Sequence, residues 1–274
     1  HRFEKLSIMP KCTHMGGAEF LEKNLKNNKN LATWDGELYL EMHRGTFTTK
    51  SNLKRTNRRL EFKFRSAEML SVLRAHNIPD AFPQPVIDEA ERAPGEVQAF
   101  QTAGREDLRN ESIFTIDGID AKDLDDAVSI RRDGENYVLG VHIADVSYYV
   151  RPDSALDGEA LRRGTSVYFP GSVIPMLPSR LSNGICSLNP NVDRLAMSCE
   201  MHITSQGEVS SYRLFKSVIR SRERLVYEDV NKLLDGDEEL KSRYSHIYGE
   251  LYSMDKLAAL LRKRRMNSGS IDFN

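Results

Sequence analysis

The sequence predicts a mixed α/β (α+β) fold, in which β-hairpins carry an acidic site and helices cover the sheet. Three observations predict it. Apolar residues alternate with others through Tyr137–Ile143 and again through Leu195–Ile203, the period of a strand. The pairs Asp133-Gly134 and Gln206-Gly207 stand beside those runs and are turn chemistry. Leu240, Tyr244, Ile247, Leu251, Met254, Ala258 and Leu261 follow one another at helical steps, an apolar stripe that needs a partner surface.

Taken in order, residues 52–71 fit one helix with Leu53, Leu60 and Phe64 along a stripe. The flanking stretch 44–65 is basic, with only Glu61 opposing eight lysines and arginines. The proline-rich run Asn77–Pro85 breaks the chain, and Val86–Glu91 resumes a short helix. The first hairpin follows the acidic cluster described below. Tyr168–Pro178 is too irregular for a regular element and is expected to be an ordered loop. The second hairpin then runs to Ile219, and a terminal helix is capped by Asp237 and ended by Gly269.

The bulk numbers narrow the class. A chain of 274 residues suggests about two domains. Hydrophobic residues make up 39% and charged residues 29%, enough for a sizeable core in a soluble protein. The net charge of -1 gives no global attraction to nucleic acid, so any such attraction must be local. Cys12, Cys186 and Cys199 are scattered and odd in number, which suits free thiols in a reducing, cytoplasmic setting. No apolar run approaches the roughly 18 residues of a membrane span, and no signal peptide is expected. The chain opens on His1 and is expected to be a fragment.

Asp117, Asp123, Asp125 and Asp126 fall within ten residues. Like charges this close raise one another's pKa, and a folded chain tolerates them best around a divalent cation. Hard oxygen ligands suit Mg²⁺ or Mn²⁺ rather than zinc, and four carboxylates could serve a pair of ions. In one extended segment Asp123 and Asp125 share a side while Asp126 takes the other. The segment must therefore bend, and Gly118 is placed to allow it. A calcium loop is excluded, because Ala127 stands where a ligand belongs and no glycine follows. The seven histidines show no zinc spacing; His142 and His202, on polar strand faces, read as structural. The residues alone leave a solvated acidic loop open as the alternative.

Residues from about 70 to 274 resemble the catalytic domain of the ribonuclease II / ribonuclease R family. The resemblance rests on Ile113–Ala127, Gly140–Ser147, Gly164–Gly171, Ile174–Pro178 and Leu181–Pro190, all in order. It implies a processive 3′→5′ exoribonuclease that degrades single-stranded RNA to nucleoside 5′-monophosphates with Mg²⁺. It places the family's acidic residues on Asp117, Asp123, Asp125 and Asp126, and its base-stacking tyrosine on Tyr168. Asp145 and Arg180 lie in matching motifs and are expected to have structural or backbone-orienting roles. The family's catalytic domain carries a further arginine motif past the point matching Asn274, so weak or no turnover is expected of this chain alone.

Residues from about 7 to 68 resemble a piece of the family 38 glycoside hydrolases, the α-mannosidases. The matching runs are Trp34–Thr49, Lys54–Glu61 and Ser66–Leu70. No zinc-binding or nucleophile motif of that family is present, so no catalytic residue is carried over. The expected organisation is an α-mannosidase-like fragment, 1–68, joined near residues 66–75 to a partial nuclease domain, 69–274. A mannosidase activity and a non-catalytic RNA-binding remnant stand as the alternative functions.

Overall fold

The computed structural model describes residues 67–169 and 172–270. The α-mannosidase-like runs Trp34–Thr49 and Lys54–Glu61, the basic stretch 44–65 and most of the predicted helix 52–71 lie outside these residues, whereas the third run, Ser66–Leu70, falls within them from Ala67 on. Helix α1 (Ala67–Ala75) leads through the Asn77–Pro83 break to α2 (Gln84–Arg92). The break ends earlier than proline content suggests. Pro85 sits in the first helical turn, where a missing N–H costs nothing.

The centre is a seven-stranded sheet. Its strands are β1 (Glu106–Leu108), β2 (Phe114–Asp117), β3 (Asp126–Asp133), β4 (Asn136–Ala144), β7 (Asp193–Ile203), β8 (Val209–Arg220) and β9 (Glu223–Val226). The order across the sheet is β1-β8-β7-β4-β3-β2-β9. Both predicted hairpins form. Asp133 pairs with Asn136 around Gly134 at φ 59°, and the β7–β8 turn holds Gly207 at φ 79°, backbone that glycine adopts without strain. Neighbours in the middle are antiparallel, whereas β1 on β8 and β9 on β2 are parallel.

The most completely buried sheet face is not the one with the largest side chains. Gly140, His142, Ala144, Ala196, Ser198 and Ser217 face inward, and the side chains of His142, Ser198 and Ser217 are buried. On the other face Ile143 is 46% and Met197 38% exposed. Small side chains let another segment approach the strands closely. Arg105 does so, donating to the carbonyls of Ala196 and Ser217, both at 3.3 Å. His142 bridges Ser129 (3.1 Å) and Ser198 (2.7 Å), the satisfied structural role expected of it.

Between β4 and β7 lie the short helices α3 (Val146–Tyr149) and α4 (Ala155–Arg163) and a ribbon, β5 (Val167–Phe169) against β6 (Ser172–Ile174). The run Tyr168–Pro178, expected to be a loop, thus starts as strand. Its three cross-strand pairs, such as Tyr168 with Val173, hold it without a large sheet.

The predicted terminal helix is broken. Helix α5 (Tyr227–Leu234) is followed by α6 (Glu238–Arg243) and α7 (Tyr248–Asn267). Asp237 caps α6 as expected, accepting from the Leu240 amide at 3.0 Å, and Gly269 lies past α7 at φ 92°. The interruption drives Tyr244 and Ile247 into a core of Phe114, Leu225, Leu233 and Leu251. Leu257 of α7 packs on Ile130 and Ile203 farther along the sheet.

Candidate active site

Strands β2 and β3 share a single residue pair, Phe114 with Val128. Beyond it β2 stays with β9 through Asp117↔Val226, and β3 stays with β4 from Asp126↔Ile143. The strands part, and residues 118–125 fill the wedge. Asp117 is the last residue of β2 and Asp126 the first of β3, so the two ends of the wedge are acidic.

Leu124 fixes the side from which the loop is seen. It is 1% exposed and packs with Ile113, Ala127, Ala144, Leu188, Ala196 and Ile219. Because neighbours on extended backbone point oppositely, burying Leu124 turns Asp123 and Asp125 outward together. The backbone is held by other elements. Arg224 Nη2 donates to the carbonyls of Ile119 and Ala121, both at 2.8 Å. Ser187 Oγ donates to Lys122 O (2.9 Å) and accepts from the Leu124 amide (3.1 Å). The Leu188 amide donates to Leu124 O (2.8 Å) and the Ala144 amide to Asp125 O (3.0 Å). The Gly118 carbonyl accepts from Ala121 N at 3.1 Å. A bend exists there, but a Cβ at Gly118 would meet nothing within 4 Å. The loop turns because its carbonyls are clamped, not because glycine frees it.

The electrostatics follow from this crowding. Burial raises the pKa of Asp117, the charges of Asp126 and Asp123 add to the rise, and Arg224 opposes it. Asp125 is also raised, first by the protein crowding its carboxyl and then by Asp123, Asp126 and Asp117. Asp125 therefore feels the other three carboxylates, and Asp117 feels Asp126 and Asp123. Asp117 Oδ2 is buried with no hydrogen-bond partner, an uncommon and costly state for a carboxylate oxygen. Among the described residues, however, no three acidic, histidine or cysteine side chains converge as a finished metal cage. The carboxylates stand within mutual electrostatic reach rather than within ligand distance of one point.

Tyr168 reaches the cluster from the ribbon. Its hydroxyl donates to Asp123 Oδ2 at 3.1 Å, while the residue is 66% exposed. Burial and the Asp123 charge both raise its pKa, so the phenol stays protonated. The ring is anchored at one end and free on its faces.

Asp145 and Arg180 take backbone and packing roles. Asp145 forms a buried ion pair with Arg105 at 2.5 Å, and Arg180 donates to Ala93 O at 3.0 Å. Neither approaches the acidic loop through a hydrogen bond. Sequence reasoning passed over Arg224, Ser187 and Arg105. Arg224 is one charged residue in the short strand Glu223–Val226, and only the parallel pairing of β9 with β2 reveals what it touches.

The RNB domain model matches residues 105–274. Ribonuclease R 1 of Lactococcus lactis is 50% identical over 208 residues, covering 76% of this chain and 26% of that protein. Escherichia coli ribonuclease R is 48% identical over 202 residues, covering 73% of this chain and 25% of that protein. Among solved structures, Mycoplasma genitalium RNase R in complex with ribose-methylated single-stranded RNA superposes with a TM-score of 0.68 at 31% identity. It covers 74% of this chain and 32% of that one. The same enzyme with double-stranded RNA gives 0.67 at 32% identity, covering 74% and 36%. The yeast pseudonuclease Ssd1, at 22% identity and a TM-score of 0.54 over 64% of this chain and 21% of that one, shares the fold alone. The chain spans about a quarter of the length of the curated relatives it matches. With its acidic wedge, its sheet and these matches in agreement, the chain belongs to the RNB domain family, the family of ribonuclease R.

Proposed function

We propose that this chain carries the acidic half of the active site of a 3′→5′ exoribonuclease, which degrades single-stranded RNA to nucleoside 5′-monophosphates. Support comes from relatives named ribonuclease R and from a related structure solved with single-stranded RNA. The observation that carries the reading is the partnerless, buried Asp117 Oδ2 at one end of a wedge that holds three more aspartates. Such a set is stabilised by a divalent cation and by little else.

RNB nucleases depend on a metal ion. The residues here fit one: Asp117, Asp123, Asp125 and Asp126 would hold Mg²⁺, with Mn²⁺ as the substitute. When bound, the ion supplies charge neutralisation at the scissile phosphate and an activated water. The chain's own groups do the rest. Leu124, clamped beneath the loop, keeps Asp123 and Asp125 outward. Tyr168 offers an exposed ring for the terminal base, and base–aromatic stacking is worth about 1–3 kcal/mol. Its hydroxyl, bonded to Asp123, sets the ring beside the carboxylates.

We place the protein in the cytoplasm, supported by the free thiols of Cys186 and Cys199. The segment 1–68 is assigned to a separate, α-mannosidase-like unit with no part in the reaction. The test is a timed digest of single-stranded RNA labelled at the 5′ or the 3′ end, with and without Mg²⁺. Shortening of the 5′-labelled strand in Mg²⁺, immediate release of the 3′ label as mononucleotide, and loss of both in Asp126→Asn are expected. RNA binding with no hydrolysis in either ion would reduce the chain to a binding remnant. Undiminished cleavage by Asp126→Asn would remove the acidic cluster from the reaction.

A further inference from the structure

Arg224 stands out among the charged groups that the proposed reaction leaves unused. Two well-buried arginine side chains are explained by a carboxylate, whereas Arg194 bonds the carbonyls of Ser187, Asp193 and Gly184. Arg105 pairs with Asp145, and Arg163 pairs with Glu159. Arg224 has no carboxylate partner among the described residues, although Asp117 lies close enough for their charges to interact. One terminal nitrogen, Nη2, serves the acidic loop from Gly118 (3.5 Å) through Ile119 (2.8 Å) to Ala121 (2.8 Å). Its Nε is buried with no acceptor, as Asp117 Oδ2 is buried with no donor. Register explains the arrangement. β9 runs parallel to β2 with Arg224 opposite Thr115 and Val226 opposite Asp117. The arginine therefore points along the strand pair to the loop that leaves β2 after Asp117.

We propose that Arg224 is a positioning residue for the divalent-ion site: its guanidinium holds residues 118–121, the segment between Asp117 and Asp123, and so limits how far the two carboxylates must move to meet one ion. This rests on the metal reading given above. Two effects oppose each other when Arg224 is removed. Loss of its positive charge makes the site more attractive to a cation, and loss of the clamp lets the loop relax. The clamp dominates for two reasons. The charge interaction is spread over a partly solvated wedge and weakened accordingly. The three carbonyls have no other side-chain donor among the described residues. Groups that orient metal ligands from behind typically change metal affinity about 10–100-fold when substituted.

The test is Mn²⁺ binding to the full 274-residue chain, without RNA, followed by the loss of the free-ion EPR signal. Arg224→Met and Arg224→Lys are compared with the wild type, with circular dichroism as a check on folding. Lysine keeps the charge but lacks the planar fork. Both variants are expected to bind Mn²⁺ at least about 10-fold more weakly. Unchanged affinity would make Arg224 a strap of the fold only and overturn the inference. Tighter binding by Arg224→Met would show that charge, not position, is its contribution, and would overturn it too. If neither variant folds, the wild type decides: the Arg224 Nε–H resonance should move on Mg²⁺ titration, and a resonance that stays fixed while the ion binds sinks the idea. A wild type that binds no Mn²⁺ fails the metal reading itself, a result distinct from equal binding by wild type and variants.

Discussion

Replacing Arg105 by methionine should be among the most damaging single changes outside the acidic loop. The Arg105 and Asp145 side chains are 3% and 2% exposed and meet at 2.5 Å. Arg105 also serves the carbonyls of Ala196 and Ser217. Arg105→Met leaves a carboxylate in the interior with one remaining side-chain donor, Ser147 Oγ at 2.8 Å. Breaking a buried pair from one side costs about 3–5 kcal/mol. For a domain of this size that is a fall in Tm of about 6–20 °C. Removing both charges, as Arg105→Met with Asp145→Leu, should recover most of the loss, since an apolar pair of similar volume does not carry the desolvation penalty. Ser147 is exposed, so its hydroxyl turns to water. The assay is urea unfolding of the two single variants and the double. The pair also has a pH signature. Burial alone would push the Asp145 pKa up, but Arg105 and Ser147 outweigh it and hold the carboxyl below its ordinary value. Its contribution is therefore complete above the unfolded carboxyl pKa of about 3.9 and is lost as pH falls through the lower folded value. A cost below about 1 kcal/mol for Arg105→Met, or a double variant no better than the single, would refute the reasoning.

Two further outcomes concern the buried polar strip. Burial lowers the His142 pKa from 6.5 to about 4, so the unfolded chain takes up this proton first. Stability should be full above about pH 6.5 and should fall by about 3 kcal/mol on the way to pH 4; a His142→Gln variant whose urea midpoint shows the same slope over that range would contradict it. At Gly140 an added Cβ would stand 2.3 Å from Ser129 Oγ and 2.9 Å from His142 Nε2. Gly140→Ala should cost about 1–3 kcal/mol, and adding Ser129→Ala should restore part of it; no rescue in thermal unfolding would place the strain elsewhere.

What the sequence discloses is what short-range physics decides. The hairpins were legible because alternation and the glycines at 134 and 207 act within a few residues. The Asp237 cap was legible for the same reason. The break in the last helix was not. Tyr244 and Ile247 fit the stripe of a continuous helix, and nothing local signals that they pack with Phe114, Leu225 and Leu233 from distant segments on either side of a break. The buried sheet face misleads in the same way. His142 reads as a residue on a polar strand face, and cross-strand hydroxyl contacts of Ser129, Ser198 and Ser217 are what let that face be buried. At the site the four aspartates were visible as crowded charge. Their scaffolding was not, because Arg224 and Ser187 reach the loop from about 65 to 106 positions away.

The pattern of donors separates an acidic loop that is merely solvated from one arranged for a cation. Elsewhere in the fold carboxylates take arginines. Asp107, Asp145, Glu159, Asp193 and Glu200 each pair with at least one. In the wedge the same resources go to the backbone. Arg224 bonds carbonyls with Asp117 nearby, and Ser187 and the amides of Leu188 and Ala144 do likewise. Among the described residues, Tyr168 supplies the one side-chain hydrogen bond to any of the four carboxylates. A loop with no further task would lower its energy by neutralising Asp117 and Asp125, both of which are instead raised by crowding. A solvated loop would not bury Asp117 Oδ2 without a partner either. Holding the backbone still while leaving the charges uncompensated suits compensation from outside the chain, and for clustered oxygen donors a hard divalent cation is the chemistry we propose. The wedge between β2 and β3 thus gathers charge that the described residues leave uncompensated, which is what the proposed metal reading requires.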